Sequence, residues 1–348
     1  MPPIERNENK NANRNKLLLI LTMTLGMLVG FIAFTNIFEE DDTSLLVADR
    51  KFAVEETQIG KIFIADRRGN TTTLEKVNGS WLLEGKEKVR QNAMANLLDA
   101  VTRIQVEYKP PQAAEEHMIK DLAANGIKVE IYDPKDNLLK AYYVGGSTQD
   151  ERGTFAIMEG SENPYVTHIP NWSGNLRFRY NLTGDDWRDK TLLDHEEAEI
   201  VNITVEYPKQ QDKSFKLIKS GRNIEVQPFY EITPAINLPY NQANLQAYVL
   251  RFEKVVAEAF ENDNPVKDSI RNNLPFSIIT VEDQDGRSTK LELFPIFPKN
   301  TATDPKTGMP LVNDAVERYF VDRNDKDFML AQHRLVREVL WAYESFFN

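Results

Sequence analysis

The chain has 348 residues, 41% hydrophobic and 27% charged, with 53 acidic side chains against 42 basic ones and no cysteine. At about 150 residues per domain this gives roughly two units with buried cores, and a net charge of -11 excludes a protein that grips nucleic-acid phosphates. Without cysteine there is no disulfide framework, thiolate zinc site, cysteine nucleophile or lipidated cysteine.

Residues 17–38, LLLILTMTLGMLVGFIAFTNIF, carry no charge. As a helix they would be about 33 Å long, enough to cross a hydrocarbon core of about 30 Å. Only Thr22, Thr24, Thr35 and Asn36 interrupt them, and the run is longer than the apolar part of a signal peptide. This predicts an uncleaved transmembrane anchor. Arg6, Lys10, Arg14 and Lys16 outweigh Glu5 and Glu8 before it, and Glu39-Glu40-Asp41-Asp42 follows it. Basic flanks stay in the cytoplasm, so residues 1–16 are predicted to be cytoplasmic and the remainder periplasmic, on a bacterial inner membrane. So acidic an ectodomain is repelled by anionic headgroups, which argues against a reader of lipid surfaces.

Residues 39–58 read as an acidic stalk, followed by a first module over 59–196. It opens with IGKIFIADRRGNTTTLEKVNGSWLLEG (59–85), where Ile62 and Ile64 alternate with polar neighbours and Asn78-Gly79 marks a hairpin turn. Met94, Leu97, Leu98, Val101 and Ile104 recur at helical spacing, and a second helix is predicted over 115–124. IKVEIYD (127–133), LLKAYYVGG (138–146) and GTFAIMEG (153–160) read as strands. A second module over 197–348 repeats this order. AEIVNITVEYP (198–208) and the hairpin SFKLIKSGRNIEVQPF (214–229) lead to a helix predicted from Asn244 to Glu261. FSIITVEDQDGRSTKLELFPIF (276–297) reads as a hairpin about Asp285-Gly286, residues 298–317 as a long loop, and RYFVD (318–322) and FML (328–330) as strands. A closing helix is predicted from Gln332 to Phe347. The fold class is therefore α+β: a transmembrane helix, then two similar modules of mostly antiparallel sheet with helices on one face.

Several of these segments carry a resemblance. LEKVNGSWLLEG with Glu75-Lys76 and Gly79-Ser80-Trp81, the Leu97-Leu98 pair, Val144-Gly145-Gly146, GTFAIMEG and DWRDKTLLD (186–194) are similar to a family of bacterial domains of unknown function. The likeness is good over 59–194 and loose over 198–348. It implies a membrane-anchored protein beside auxiliary subunits of the gliding-motility type of ABC transporter, and it transfers no active site.

The residues themselves point to no strong chemistry. His117, His168, His195 and His333 lack helical metal spacing; His195, between Asp194 and Glu196, reads as a metal ligand, a general base or, more simply, a solvated histidine. Gly79-Ser80 builds no nucleophile elbow, and Gly145-Gly146-Ser147 reads as a tight turn, since no phosphate-loop pattern surrounds it. Asp322 to Asp327 and Asp283 to Asp285 gather oxygens, but Lys326 interrupts the first and no calcium loop is spelled, so both read as hairpin turns. Carboxylate pairs for glycoside cleavage carry no specificity among so many acids.

Two aromatic groups have the composition of interface anchors: Trp172, Phe178, Tyr180 and Trp187, and the terminal Trp341, Tyr343, Phe346 and Phe347. Each reads either as an exposed recognition patch or as buried core. With no catalytic or cofactor site spelled, the sequence is read as a non-enzymatic single-pass protein, an accessory or scaffold subunit of an envelope transporter or motility/secretion assembly. Its expected partners are the membrane and another envelope protein. The second reading is a ligand-binding module for a glycan or peptide in a cleft between the modules, and a carboxylate-based hydrolase comes third.

Overall fold

The computed structural model describes residues 48–297 and 316–347. The predicted cytoplasmic N-terminus, the anchor, stalk residues 39–47 and nearly all of the 298–317 loop lie outside the described residues. Among the described residues no helix is long and apolar enough to cross a membrane.

The first half carries β1 (Lys61–Ala65), β2 (Thr71–Val77), β3 (Ser80–Leu83), β4 (Glu87–Lys88), α1 (Gln91–Arg103), β5 (Gln105–Tyr108), α2 (Gln112–Asn125), β6 (Ile127–Tyr132), β7 (Leu138–Ser147), β8 (Thr154–Met158) and β9 (Pro164–His168). The second carries β10 (Thr191–Leu193), β11 (Ile200–Glu206), β12 (Phe215–Ser220), β13 (Asn223–Pro228), α3 (Gln242–Val249), β14 (Val255–Val256), β15 (Ala259–Phe260), α4 (Lys267–Arg271), β16 (Ser277–Asp283), β17 (Ser288–Ile296), β18 (Arg318–Arg323), β19 (Asp327–Gln332) and α5 (His333–Val336). The protein is sheet-rich, with few helices and antiparallel sheets.

The described residues form two compact units, one from 48–71 and 96–181, the other from 72–95, 182–297 and 316–347. In the first, strands run in the order β1-β6-β7-β8-β9-β5. Strand alternation does the sorting: Ile62 and Ile64 of β1 and Val129 and Ile131 of β6 are buried, with polar residues between them. Helix α2 lies across β7, β8 and β9. Gly145 makes this approach possible, because a Cβ there would meet Leu122 Cδ2 and Asp121 Oδ2 at 3.0 Å. Gly145-Gly146 therefore sits inside β7 and is not the turn that the sequence suggested; the Gly146 N–H donates to Asp121 Oδ2 at 2.7 Å.

The second unit holds the meander β2-β3-β4, whose Asn78-Gly79 turn takes positive φ at both residues (49° and 84°), as a tight two-residue hairpin requires. Its main sheet has eight strands, β13-β12-β11-β16-β17-β18-β19-β15, and β10 pairs with β14. The core is one continuous cluster running from Ile203 and Leu217 through Phe252 and Leu293 to Phe346.

Two predicted helices come out differently. The Asn244–Glu261 helix stops at Val249 and a 3-10 turn (Leu250–Phe252), and the chain then becomes strand. Val255 and Val256 are β-branched and pair with Leu193 and Thr191, while Phe260 pairs with Met329, so sheet edges claim residues that also fit a helical stripe. The Gln332–Phe347 helix breaks into α5 and two 3-10 turns, Arg337–Val339 and Tyr343–Phe346. Buried tyrosines take the carbonyls that a continuous helix would use. Tyr248 Oη donates to Val339 O at 2.7 Å and Tyr207 Oη to Trp341 O at 2.9 Å.

A candidate binding pocket and a paired polar cleft

Where β17 ends and β18 begins, the second unit opens into a cavity of about 770 Å³. The floor is aromatic: Tyr207, Phe276, Phe294, Tyr319 and Phe320 line it, with Leu274, Pro275, Ile296 and Leu340 beside them. Local sequence explains the arrangement. Phe294-Pro295-Ile296-Phe297 is apolar at every position, so β17 buries one set of side chains in the core and leaves the alternate set apolar too. Phe294 faces Phe320 across the β17–β18 pair.

The rings are fixed by each other. Tyr207 meets Phe276 edge-on with centroids 5.6 Å apart, Phe276 lies 6.2 Å from Tyr319, and His333 stacks on Tyr319 at 5.7 Å. The Tyr319 hydroxyl and His333 Nδ1 are 3.2 Å apart. Burial pushes the Tyr319 phenol up to about 12, and burial likewise raises the Tyr207 phenol, so both are neutral hydrogen-bonding groups at neutral pH. The charged lining is one-sided: Lys209, Lys213 and Arg337 join His333, and no Asp or Glu is among the described lining residues. Arg337 has Glu338 Oε1 3.4 Å from its Nε, outside the lining.

A second cavity of the same unit, about 280 Å³, is lined mainly by charged side chains of both signs. Arg188, 7% exposed, reaches Asp327 at 2.8 Å, Asp185 at 3.0 Å and Glu87 at 3.2 Å. Asp327 also takes Arg323 at 2.6 Å, and Glu87 takes Lys326 at 2.8 Å. Lys326 holds the Glu87 carboxyl below the usual carboxylate range, with Arg188 adding to it. At Asp327 burial works upward, but the hydrogen bonds from Arg323 and Arg188 outweigh it and the carboxyl is held down.

His195 lies on this cleft and is 1% exposed, so it is not the solvated histidine that its acidic neighbours suggested. Its Nδ1 donates to the Asp283 carboxylate at 2.8 Å, and its Nε2 is 2.9 Å from Thr289 Oγ1. Asp283 also holds Arg287 at 2.7 Å. A hydroxyl, an imidazole and a carboxylate in this order match the layout of nucleophile, base and orienter. Here the array is sunk and ion-paired, and it braces residues 194–196 against the β16–β17 hairpin. The acidic run at 322–327 is indeed a hairpin turn, with Asn324 and Asp325 at positive φ. The Glu292, Asp322 and Asp325 carboxylates converge there on the protein's own cations, Lys290 at 2.8 Å from Glu292 and Arg271 at 2.6 Å from Asp322.

The eight aromatics singled out in the sequence divide by burial. Tyr180, Trp187, Tyr343 and Phe346 are buried core and present no surface. The Trp187 indole donates to Leu182 O at 2.8 Å, and the Tyr180 and Tyr142 hydroxyls are 3.3 Å apart. Trp172 and Phe178 do come together, 6.0 Å between centroids, with the Arg179 guanidinium 4.7 Å from the Trp172 ring and Phe178 49% exposed. Trp341, Tyr343, Phe346 and Phe347 gather with Phe215 and Tyr248, and Trp341 and Phe347 are half-buried at the margin of that core. The pocket aromatics were read from sequence only as strand residues. The signal that could have found them is the apolar run 294–297, which no one-sided strand needs.

Fold and cavities together define a sheet-rich protein of two antiparallel units, one of them carrying an aromatic pocket and a paired polar cleft. The chain belongs to the family described as Domain of unknown function (DUF4340), whose model matches residues 81–274, more than half of the sequence. That match ends at Leu274, on the wall of the pocket. No curated protein and no solved structure matches the chain.

Proposed function

We propose that this chain is a non-enzymatic, single-pass protein of a bacterial inner membrane, with its two similar modules in the periplasm, serving as an accessory subunit of an envelope transporter or motility/secretion assembly. It works by holding an apolar part of its partner in the aromatic pocket of the second unit. The observation that carries this is the pocket. Its volume falls in the roughly 300–1,000 Å³ range of ligand sites, and aromatic walls with a few polar groups at one side are what such sites are made of. The uncharged run 17–38 with basic residues before it and acidic ones after supports the anchor and its orientation. The resemblance to domains found beside gliding-motility-type ABC transporters supports the kind of assembly.

The test is co-purification of the full-length chain from native membranes, with Phe276→Ala as the comparison. An integral transporter or secretion subunit, identified by mass spectrometry and reduced at least ten-fold by Phe276→Ala, is the expected result. The same partner retained in full by the variant overturns the role of the pocket. Full-length protein with no membrane partner overturns the accessory-subunit reading.

A further inference from the structure

We propose that the outer edge of β5, in the first unit, takes up an extended segment of a partner protein as an added strand, with a lysine or arginine of that segment against Glu107. This site is independent of the aromatic pocket, which belongs to the other unit.

The position of a cavity is the first argument. A space of about 550 Å³ is lined by residues 50–53 and by every residue from 104 to 109. Successive side chains of a strand point to opposite faces, so a cavity lying over one face would touch alternate residues. One that touches six in a row runs along the edge. β5 ends its sheet and pairs only with β9, and no residue of β9 lines the cavity, so this is the outer edge.

The second argument is what that edge leaves unmade. A strand paired on one side directs every second N–H and C=O away from its neighbour. Among the described residues the main chain of Gln105–Tyr108 has no hydrogen-bond partner besides β9. Val106 pairs with Thr167 and Tyr108 with Val166, so Glu107 is the extra residue of a bulge. An open edge beside a cavity of this size is matched by another main chain, which supplies donors and acceptors at the same two-residue spacing.

Side chains set the chemistry of that segment. Phe52 and Ile104 are buried and Val106 half-buried, so the groove has an apolar floor. Its cations are engaged already. Arg50 lies 5.7 Å from the centre of the Tyr165 ring, Lys109 reaches Asn163 at 2.8 Å and Glu115 at 3.5 Å, and Lys51 has a partner too. Exposed Glu107 makes no hydrogen bond or ion pair with any described residue. The unanswered charge is therefore negative, and a basic residue opposite it with apolar neighbours is the complement. A second copy fits less well, since pairing β5 with β5 would bring a second set of residues 50–53 to the same edge.

The probe is a fluorescein-labelled nine-residue peptide of alternating valine and lysine, titrated by anisotropy into the full-length chain in non-ionic detergent at physiological salt. Three relatives accompany it: one with glutamate for lysine, one N-methylated at its valines and one N-methylated at its lysines. The lysine peptide is expected to bind at least ten-fold more tightly than the glutamate peptide and to slow amide exchange over 105–108, read by mass spectrometry. One N-methylated form should lose at least ten-fold in affinity and the other little, because an added strand pairs along one edge. Glu107→Lys should reverse the charge preference without moving the unfolding midpoint. Phe276→Ala should bind the lysine peptide as the parent does.

Equal binding of both N-methylated forms and the parent peptide, all of one charge, means attraction to an acidic chain and overturns strand addition. An unchanged preference in Glu107→Lys overturns the role of that residue. Binding lost in Phe276→Ala, with no protection over 105–108, assigns the peptide to the aromatic pocket and overturns the edge site. A chain that dimerises with 105–108 protected and excludes the peptide gives the edge to a second copy. No binding of the lysine peptide overturns the proposal and leaves the reading of the aromatic pocket untouched.

Discussion

Two cavities of one unit differ in the charges that line them. In the polar cleft each of Arg188, Arg323 and Lys326 meets a carboxylate within 3.2 Å, and His195 and Arg287 share Asp283. In the aromatic pocket Lys209, Lys213, Arg337 and His333 line the wall together with rings, and no carboxylate is among the described lining residues. The cleft has the greater density of titratable groups and so attracts attention first, since such groups cluster at functional sites. Pairing is the better discriminator. A charge answered from within the chain belongs to the fold.

The comparison can be broken most directly at Asp327. Replacing it with alanine leaves Arg188 buried beside Glu87 and Asp185 alone, and removing one member of a buried ion pair costs about 3–5 kcal/mol. A clear drop in the thermal midpoint is expected; one within a degree of the parent would mean that the cleft is not structural.

Acid should act in the same direction with a smaller effect. The Asp327 and Glu87 carboxyls are held below the ordinary range, so their contribution is present above it and is lost as pH falls through their folded values. The unfolding midpoint is therefore expected to hold from neutrality to the ordinary carboxylate range, about pH 4, and to fall below it. Asp322 runs the other way. Burial lifts its carboxyl against the pull of Arg271, so it favours the folded state on acidification and blunts the loss. An unfolding midpoint that rises below pH 4 would contradict the pairing. The smallest effect sharpens the contrast: Lys213→Glu, at a half-buried site with no internal carboxylate, should change stability by no more than about 0.5 kcal/mol in a denaturant titration.

How much of this could be read from sequence depends on which physical signal each element carries. The hairpins 215–228 and 277–296 were legible because period-two alternation and turn residues specify them locally. The helices predicted over 244–261 and 332–347 failed because Val255, Phe260, Val339 and Phe346 fit a helical stripe as well as a set of core anchors, and only tertiary pairing decides. The same limit governs the sites. Composition cannot separate an aromatic interface from an aromatic core, so Tyr343 and Phe346 looked like a docking end and are interior. Deleting the last residues to test for an interface would therefore remove part of the core. His195 was misread for a related reason: its partners Asp283 and Thr289 are 88 and 94 residues away in the chain.

The second unit is assembled from two separate stretches, 72–95 and 182 onward. Its residues 72–95 leave the ribosome long before the rest of the unit, and Glu87 meets Lys326 only after 239 more residues have been made. At about 5–20 residues per second that is a wait of roughly 10–50 s. A gene fragment cut to begin at residue 182 would encode an incomplete unit lacking Glu87, however natural the boundary looks in the linear sequence.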